Sequence, residues 1–285
     1  MASNLALGGV AAVAVLAGVA IGAFGAPLLK TRHSGPVIVT SDDGSGVMNP
    51  EGGYLTPDIL DAARLLPPPP LKGSMRYEQD RKVFLATRAL KGTPRWNLAT
   101  ADADQSIQAT LANFSCSVGA DLTPSSVPAM AALLEKVTPD EMRAVNTGKL
   151  IHSRQRPFLI DAGEICVPKT DELARSPDYP SGHTTWSWMT ALLLAEMVPE
   201  RATDILIRGR VYGESRVICG AHNESAVEAG RINASALVAA LHASPQFRDD
   251  LDLARAELAS VRRSGRPPSA ARCVAEEELS KVSYF

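Results

Sequence analysis

Apolar residues recur at intervals of three and four along most of this chain, the period of an amphipathic helix. The spacing predicts helices over roughly 76–91, 98–115, 127–135, 139–153, 182–197, 199–217, 223–243 and 245–262. Two starts are marked by Thr138-Pro139-Asp140-Glu141 and by Pro199-Glu200, where proline fits a first helical turn. Period-two alternation is almost absent, and PVIVT at 36–40 is the one strand-like run. LLPPPP at 65–70 must be extended, because proline lacks the amide a helix needs. The pattern predicts a single all-α, multi-helix domain over 54–262. It is preceded by a Gly-, Ser- and Asp-rich linker at 30–53 and followed by a loose tail at 263–285.

The segment 1–29 differs from the rest. No charge occurs from Leu5 to Leu29, a length that suits either a signal peptide or a single membrane anchor. Ala23-Phe24-Gly25 is a small-x-small cleavage site, and Lys30 and Arg32 on the far side favour cleavage over retention. The expected location is therefore the periplasm or the exterior. In such a compartment Cys116, Cys166, Cys219 and Cys273 can form disulfides by three pairings. Cys116 with Cys166 is favoured by their loop positions, and Cys219 reads equally well as a buried thiol. The formal net charge is −2 with dispersed basic residues, which argues against a nucleic-acid partner. No Cys-x-x-Cys or His/Cys spacing suggests zinc.

Three places concentrate polar residues inside this apolar pattern. Lys149 and Arg156, seven apart, are expected on one helix face, with Pro157 ending that helix. In YPSGH at 179–183, Ser181 can cap a helix whose first turn holds Gly182 and His183. In SRVICGAHNESAVEAGR at 215–231, Arg216 lies in a last turn before Gly220, and His222 stands at the next helix start with Asn223 as its cap. Each has a plain structural reading as a solvated helix end, an ordinary cap or a structural histidine. Together they supply three cations, two helix N-termini and two histidines, which suit a phosphoryl group. Phosphoryl transfer needs positioning, a nucleophile and an acid, and two histidines can fill the last two roles without a metal or cofactor.

The ordered set Lys149-x6-Arg156-Pro157, Pro180-Ser181-Gly182-His183 and Ser215-Arg216-x5-His222 resembles the three-part signature of the type-2 phosphatidic acid phosphatase superfamily. More closely it resembles the class A bacterial non-specific acid phosphatases, as do LLPPPPLKGS at 65–74, GTPRW at 92–96 and residues 195–220. The resemblance implies an exported, metal-independent phosphomonoesterase with an acidic optimum, broad substrates and vanadate inhibition. It makes His222 the nucleophile and His183 the acid, with Lys149, Arg156, Ser181, Gly182 and Arg216 holding phosphate. A homo-oligomer is left open.

One position departs from that resemblance. The pattern continues with an aspartate four residues after the nucleophile, to orient its ring, and here Ala226 stands there. Glu224 is the candidate substitute, with Ser225 or a backbone carbonyl as weaker ones and Glu228 facing elsewhere. On this reading Ala226→Asp should raise turnover. Rival readings are a catalytically impaired phosphate-binding relative, a vanadate-dependent haloperoxidase and a lipid phosphatase. No second apolar run of spanning length follows Leu29, which counts against the last.

Overall fold

The computed structural model describes residues 52–57, 59–282 and 284–285, so the leader, the PVIVT run and nearly all of the linker lie outside the described residues. All regular structure among the described residues is helical. The α-helices are α1 (Ala62–Leu65), α2 (Met75–Thr87), α3 (Pro94–Ala101), α4 (Ile107–Val118), α5 (Pro128–His152), α6 (Asp171–Arg175), α7 (Gly182–Met197), α8 (Ala202–Cys219), α9 (Glu224–Leu241), α10 (Pro245–Ser264) and α11 (Ala270–Ser280). None is long and apolar enough to cross a membrane.

The centre of the molecule is α7. Trp186, Met189 and Leu193 are buried on one face of it and Thr184 and Ala191 on the opposite face, as expected of a helix enclosed all round. It packs against α8 and α9, while α5 pairs with α10 and closes the same core through Met130, Leu134, Phe247, Leu251 and Leu258. Close approach of α8 and α9 to the start of α7 depends on two glycines. A Cβ at Gly213 would come within 2.9 Å of the Thr184 methyl, and one at Gly230 within 2.8 Å of the Ser181 carbonyl oxygen.

Several boundaries differ from the periodic reading. Helix α5 runs unbroken through Pro139, which had marked a helix start. An interior proline costs about 3 kcal/mol, yet Leu134, Val137 and Met142 on either side are buried, and packing outweighs the lost hydrogen bond. The stretch 98–115 is split, because Asp104 accepts from the Ser106 amide and Ser106 then caps α4. The tail is not loose. It carries α11, and Arg272 donates to the Ala112 carbonyl at 2.9 Å while Ser280 accepts from Arg210 at 3.0 Å.

The cysteines also pair differently. The bridges are Cys116–Cys273, which fastens α11 to α4, and Cys166–Cys219, which fastens a loop to the end of α8. The Cys166 amide donates to the Cys219 carbonyl, so backbone pairing brings that second couple together. Cys219 is therefore bonded rather than a thiol, and Cys116 is not joined to Cys166. Only the fold of α11 back onto α4 makes the first couple possible, and spacing along the chain carries no sign of it.

Candidate active site

Four helix ends converge on one buried polar region, and each is shaped by local sequence. At the end of α5, Ser153 takes a left-handed conformation (φ 41°) and stops the helix at His152. Lys149 stays in the last helical turn, while Arg156 lies in extended backbone four residues beyond the end. The two therefore do not share a helix face as their spacing suggested, since the helix stops before Pro157 can decide the matter. They meet through a third residue. The Ser176 hydroxyl accepts from Lys149 Nζ at 3.0 Å and from Arg156 at 3.1 Å, and the Ser176 carbonyl accepts from Arg156 Nε at 2.8 Å.

Ser181 is the N-cap of α7, its hydroxyl accepting from the Thr184 amide. Its own amide donates to the Ala226 carbonyl at 3.0 Å, which ties the start of α7 to the first turn of α9. Gly182 and His183 open α7, where unpaired amides and the helix dipole favour an anion. His183 Nε2 lies 3.0 Å from the Ala103 carbonyl. A carbonyl only accepts, so Nε2 carries the hydrogen in the neutral ring and Nδ1 is the basic nitrogen.

The end of α8 is held by two arginines from outside it. Arg88 donates to the carbonyls of Val217, Ile218 and Cys219, which ties the last turn of α8 to the residue that follows α2. Gly220 then leaves the helix at φ 81°, and a Cβ there would collide with the Arg88 guanidinium. Arg95 donates to the Ser215 hydroxyl at 2.9 Å, and Ser215 donates to Asp102 at 2.6 Å. Asp102 is paired in turn with Arg208. Ser215 thus anchors the helix that carries Arg216. The Arg216 carbonyl accepts from the amides of Ala221 and His222, which fixes the histidine one tight turn beyond the arginine.

His222 has defined partners on both ring nitrogens. Nε2 is 3.1 Å from an Arg156 guanidinium nitrogen, and that same nitrogen donates to the Ala221 carbonyl at 3.0 Å. Nδ1 is 2.7 Å from the Asp178 carbonyl and 3.1 Å from its carboxylate. Asp178 also accepts from the Asn223 amide at 3.1 Å and from the Asn223 side chain at 2.8 Å, and lies 3.5 Å from Arg154. Burial would raise its carboxyl, but the bonds to His222 and Asn223 and the charge of Arg154 outweigh that and hold it below the usual carboxylate range. Arg154 is paired on its other side with Asp80 at 2.7 Å, and Asp80 accepts from the Ser225 amide and hydroxyl at the start of α9.

Two expectations about this turn are corrected. Glu224 does not reach the His222 ring. Helix α9 begins at Glu224, so its side chain faces α2 and pairs with Arg76 at 3.4 Å, and burial raises its carboxyl. Asn223 stands at the N-cap position of α9, but its side chain caps nothing and instead binds Asp178.

Lys149, Arg156, Ser181, His183, Arg216 and His222 are all buried, from 0% exposed for Arg156 to 5% for Lys149. Buried cations and histidines gathered around helix N-termini suit a site that holds an anion. The PAP2 superfamily pattern matches residues 129–250, a stretch that contains all six. Over 218 residues the chain is 41% identical to an acid phosphatase of Zymomonas mobilis subsp. mobilis, covering 76% of this chain and 83% of that one. It is also 38% identical over 206 residues to a non-specific acid phosphatase of Providencia stuartii, covering 72% and 83%. A Salmonella typhimurium non-specific acid phosphatase is 38% identical over 195 residues, covering 68% and 78%. The chain belongs to the class A bacterial acid phosphatases of the PAP2 superfamily.

The residues of this acid phosphatase that the sequence did not reveal are Ser176, Asp178 and the Arg154–Asp80 pair. Ser176 and Asp178, in the loop before α7, hold Lys149, Arg156 and His222 directly, while Arg154, fixed by Asp80 of α2, supports Asp178 from behind. One signal was present. Asp178 is an acid two residues ahead of Pro180, in the short loop that delivers the Ser181 cap.

Proposed function

We propose that this acid phosphatase hydrolyses phosphate monoesters through a phosphohistidine formed on His222 Nε2. The observation that carries the reading is the tautomer of that ring. Both acceptors of Asp178 face Nδ1, so Nδ1 holds the hydrogen and the Nε2 lone pair points toward Arg156. Nε2 attacks phosphorus, and the bond from phosphorus to the ester oxygen breaks. His183 gives a proton to the departing alcohol and then takes one from the water that attacks the phosphohistidine, which releases inorganic phosphate and restores both rings.

Lys149, Arg156 and Arg216, with Ser181 and the Gly182 amide, hold the phosphoryl oxygens and stabilise charge as it shifts toward the leaving group. With that charge supplied by side chains, no metal or cofactor takes part. Recognition centred on the phosphoryl group accepts many alcohols, which gives a broad range of phosphomonoesters and inhibition by phosphate and vanadate. An acidic optimum follows from needing His183 protonated and His222 neutral. Two disulfides support an oxidising compartment, periplasmic or external, reached through the N-terminal segment as signal or anchor. The impaired-relative reading rests on Ala226 and weakens once Asp178 stands at the ring.

The test is hydrolysis of p-nitrophenyl phosphate between about pH 4 and about pH 8 with EDTA present, for the unaltered chain and His222→Ala. Labelled substrate quenched in alkali, where phosphohistidine survives, should leave label on the unaltered protein alone. EDTA-sensitive turnover, or full activity in His222→Ala, would refute the proposal.

A further inference from the structure

We propose that the Asp178 carboxylate is the positioning group of His222, supplied from the loop ahead of α7 rather than from α9. The inference rests on the reading of His222 as nucleophile. Two acceptors of one residue converge on Nδ1, the carbonyl at 2.7 Å and the carboxylate at 3.1 Å, so a single loop conformation fixes both the tautomer and the plane of the ring. The carboxylate adds what a carbonyl cannot, a full negative charge beside a ring that becomes cationic when phosphorylated.

This charge is built in, not incidental. Asp178 is fully buried, its amide donates to the Arg154 carbonyl at 2.8 Å, and its carboxylate oxygens are held by Asn223 on one side and Arg154 on the other. Arg154 is fixed by Asp80 and by the Ser225 hydroxyl, so the support extends from α2 through the loop to the first turn of α9. Position 226, where sequence resemblance expected the acid, has a different role. Ala226 is buried in an apolar cluster with Leu66, Tyr179 and Ala229, and its carbonyl holds the Ser181 amide. An added carboxylate there would enter apolar surroundings near an existing anion. The expectation that Ala226→Asp raises turnover is therefore reversed.

The test compares D178N, A226D and the double variant with the unaltered chain. In D178N the amide can turn its NH2 toward Nδ1 and removes the charge, while the backbone carbonyl stays. Loss of a partner behind a reacting histidine gives a decrease of about 10–100-fold by analogy with metal-site partners, and that fall is expected in kcat. The charged groups around the ring are Asp178 at Nδ1 and Arg156 at Nε2, with Arg154 and Asp80 behind the first and Lys149 behind the second through Ser176. Removing this anion from Nδ1 makes the imidazolium less stable, so the acidic limb of kcat/KM should move to lower pH. A purely structural role would lower the melting temperature without moving that limb.

A226D alone should give no gain, whereas in the D178N background it should recover part of the lost kcat. An unmoved limb with full kcat in D178N, or a gain from A226D alone, overturns the proposal. If D178N does not fold, A226D alone decides by the same criterion. His222→Ala separates the two readings. Activity surviving in it defeats the phosphohistidine, while an inactive His222→Ala beside a fully active D178N defeats only the role of Asp178.

Discussion

Lys149 and Arg156 meet on a single hydroxyl, that of Ser176, which neither helical spacing nor charge pattern joins to them. The serine fixes the separation of the two cations to which phosphate binding is proposed. Ser176→Ala keeps the carbonyl contact to Arg156 Nε but removes the shared acceptor. A hydrogen bond to a charged group contributes about 1.5–3 kcal/mol, and the retained contact argues for the lower end. We expect kcat/KM to fall about tenfold and the inhibition constant for inorganic phosphate to rise in step. Unchanged phosphate inhibition would mean that the cations are placed without it.

His183 is held by Ala103 at Nε2, so the proton exchange proposed for it would run through Nδ1. General acid catalysis contributes about 10²–10⁴-fold, but only where the leaving oxygen needs the proton. His183→Ala should therefore depress hydrolysis of an alkyl phosphate far more than that of p-nitrophenyl phosphate, whose phenolate departs readily. Equal losses on both substrates would assign His183 to binding instead.

Helix α9 approaches the α7 cap only because residue 230 lacks a side chain. In Gly230→Ala the added methyl would press on the Ser181 carbonyl and on Thr184, neither of which is the flexible end of a long side chain. Overpacking of this kind costs about 1–3 kcal/mol. Urea unfolding should show that loss, and kcat should fall too, because the displaced residue is the cap that presents Gly182 and His183. A stable variant with full activity would show that α9 can shift without disturbing the site.

Asp178 also makes stability depend on pH. Its folded carboxyl titrates below the ordinary value, despite the opposing effect of burial, because His222, Arg154 and Asn223 favour the anion. The contribution is therefore fully present above the unfolded value of about 4. It is lost as pH falls below that and through the folded value. Chemical denaturation of the unaltered chain and D178N should give stability curves that converge as pH drops below about 4. Parallel curves would place the titrating charge elsewhere.

Much of the fold was legible because helix periodicity reports burial directly. The span of α7 follows from pattern and punctuation, whereas the end of α5 is set by the left-handed Ser153 and not by Pro157. Pro139 misled, since local propensity is weaker than the core packing around it. The candidate phosphate-site residues stand out because their types and order along the chain are distinctive. Asp178 does not, because helical spacing places a ring partner one turn downstream, at position 226, where sequence distance predicts contact. The contact is made instead between residues 44 apart, by a loop whose path depends on Arg154, Asn223 and Asp80 together. Ser176 and the partner of Cys116 were hidden for the same reason.

The two disulfides are nested, with Cys166–Cys219 lying inside the span closed by Cys116–Cys273. Lys149, Arg156, Ser176, Asp178, Ser181, His183, Arg216 and His222 all fall within the outer span. The candidate site residues are thus all carried on a covalent ring with two tails. One proteolytic cut anywhere between residues 116 and 273 opens that ring but leaves every fragment attached. A nicked molecule would run as a single species until reductant was added.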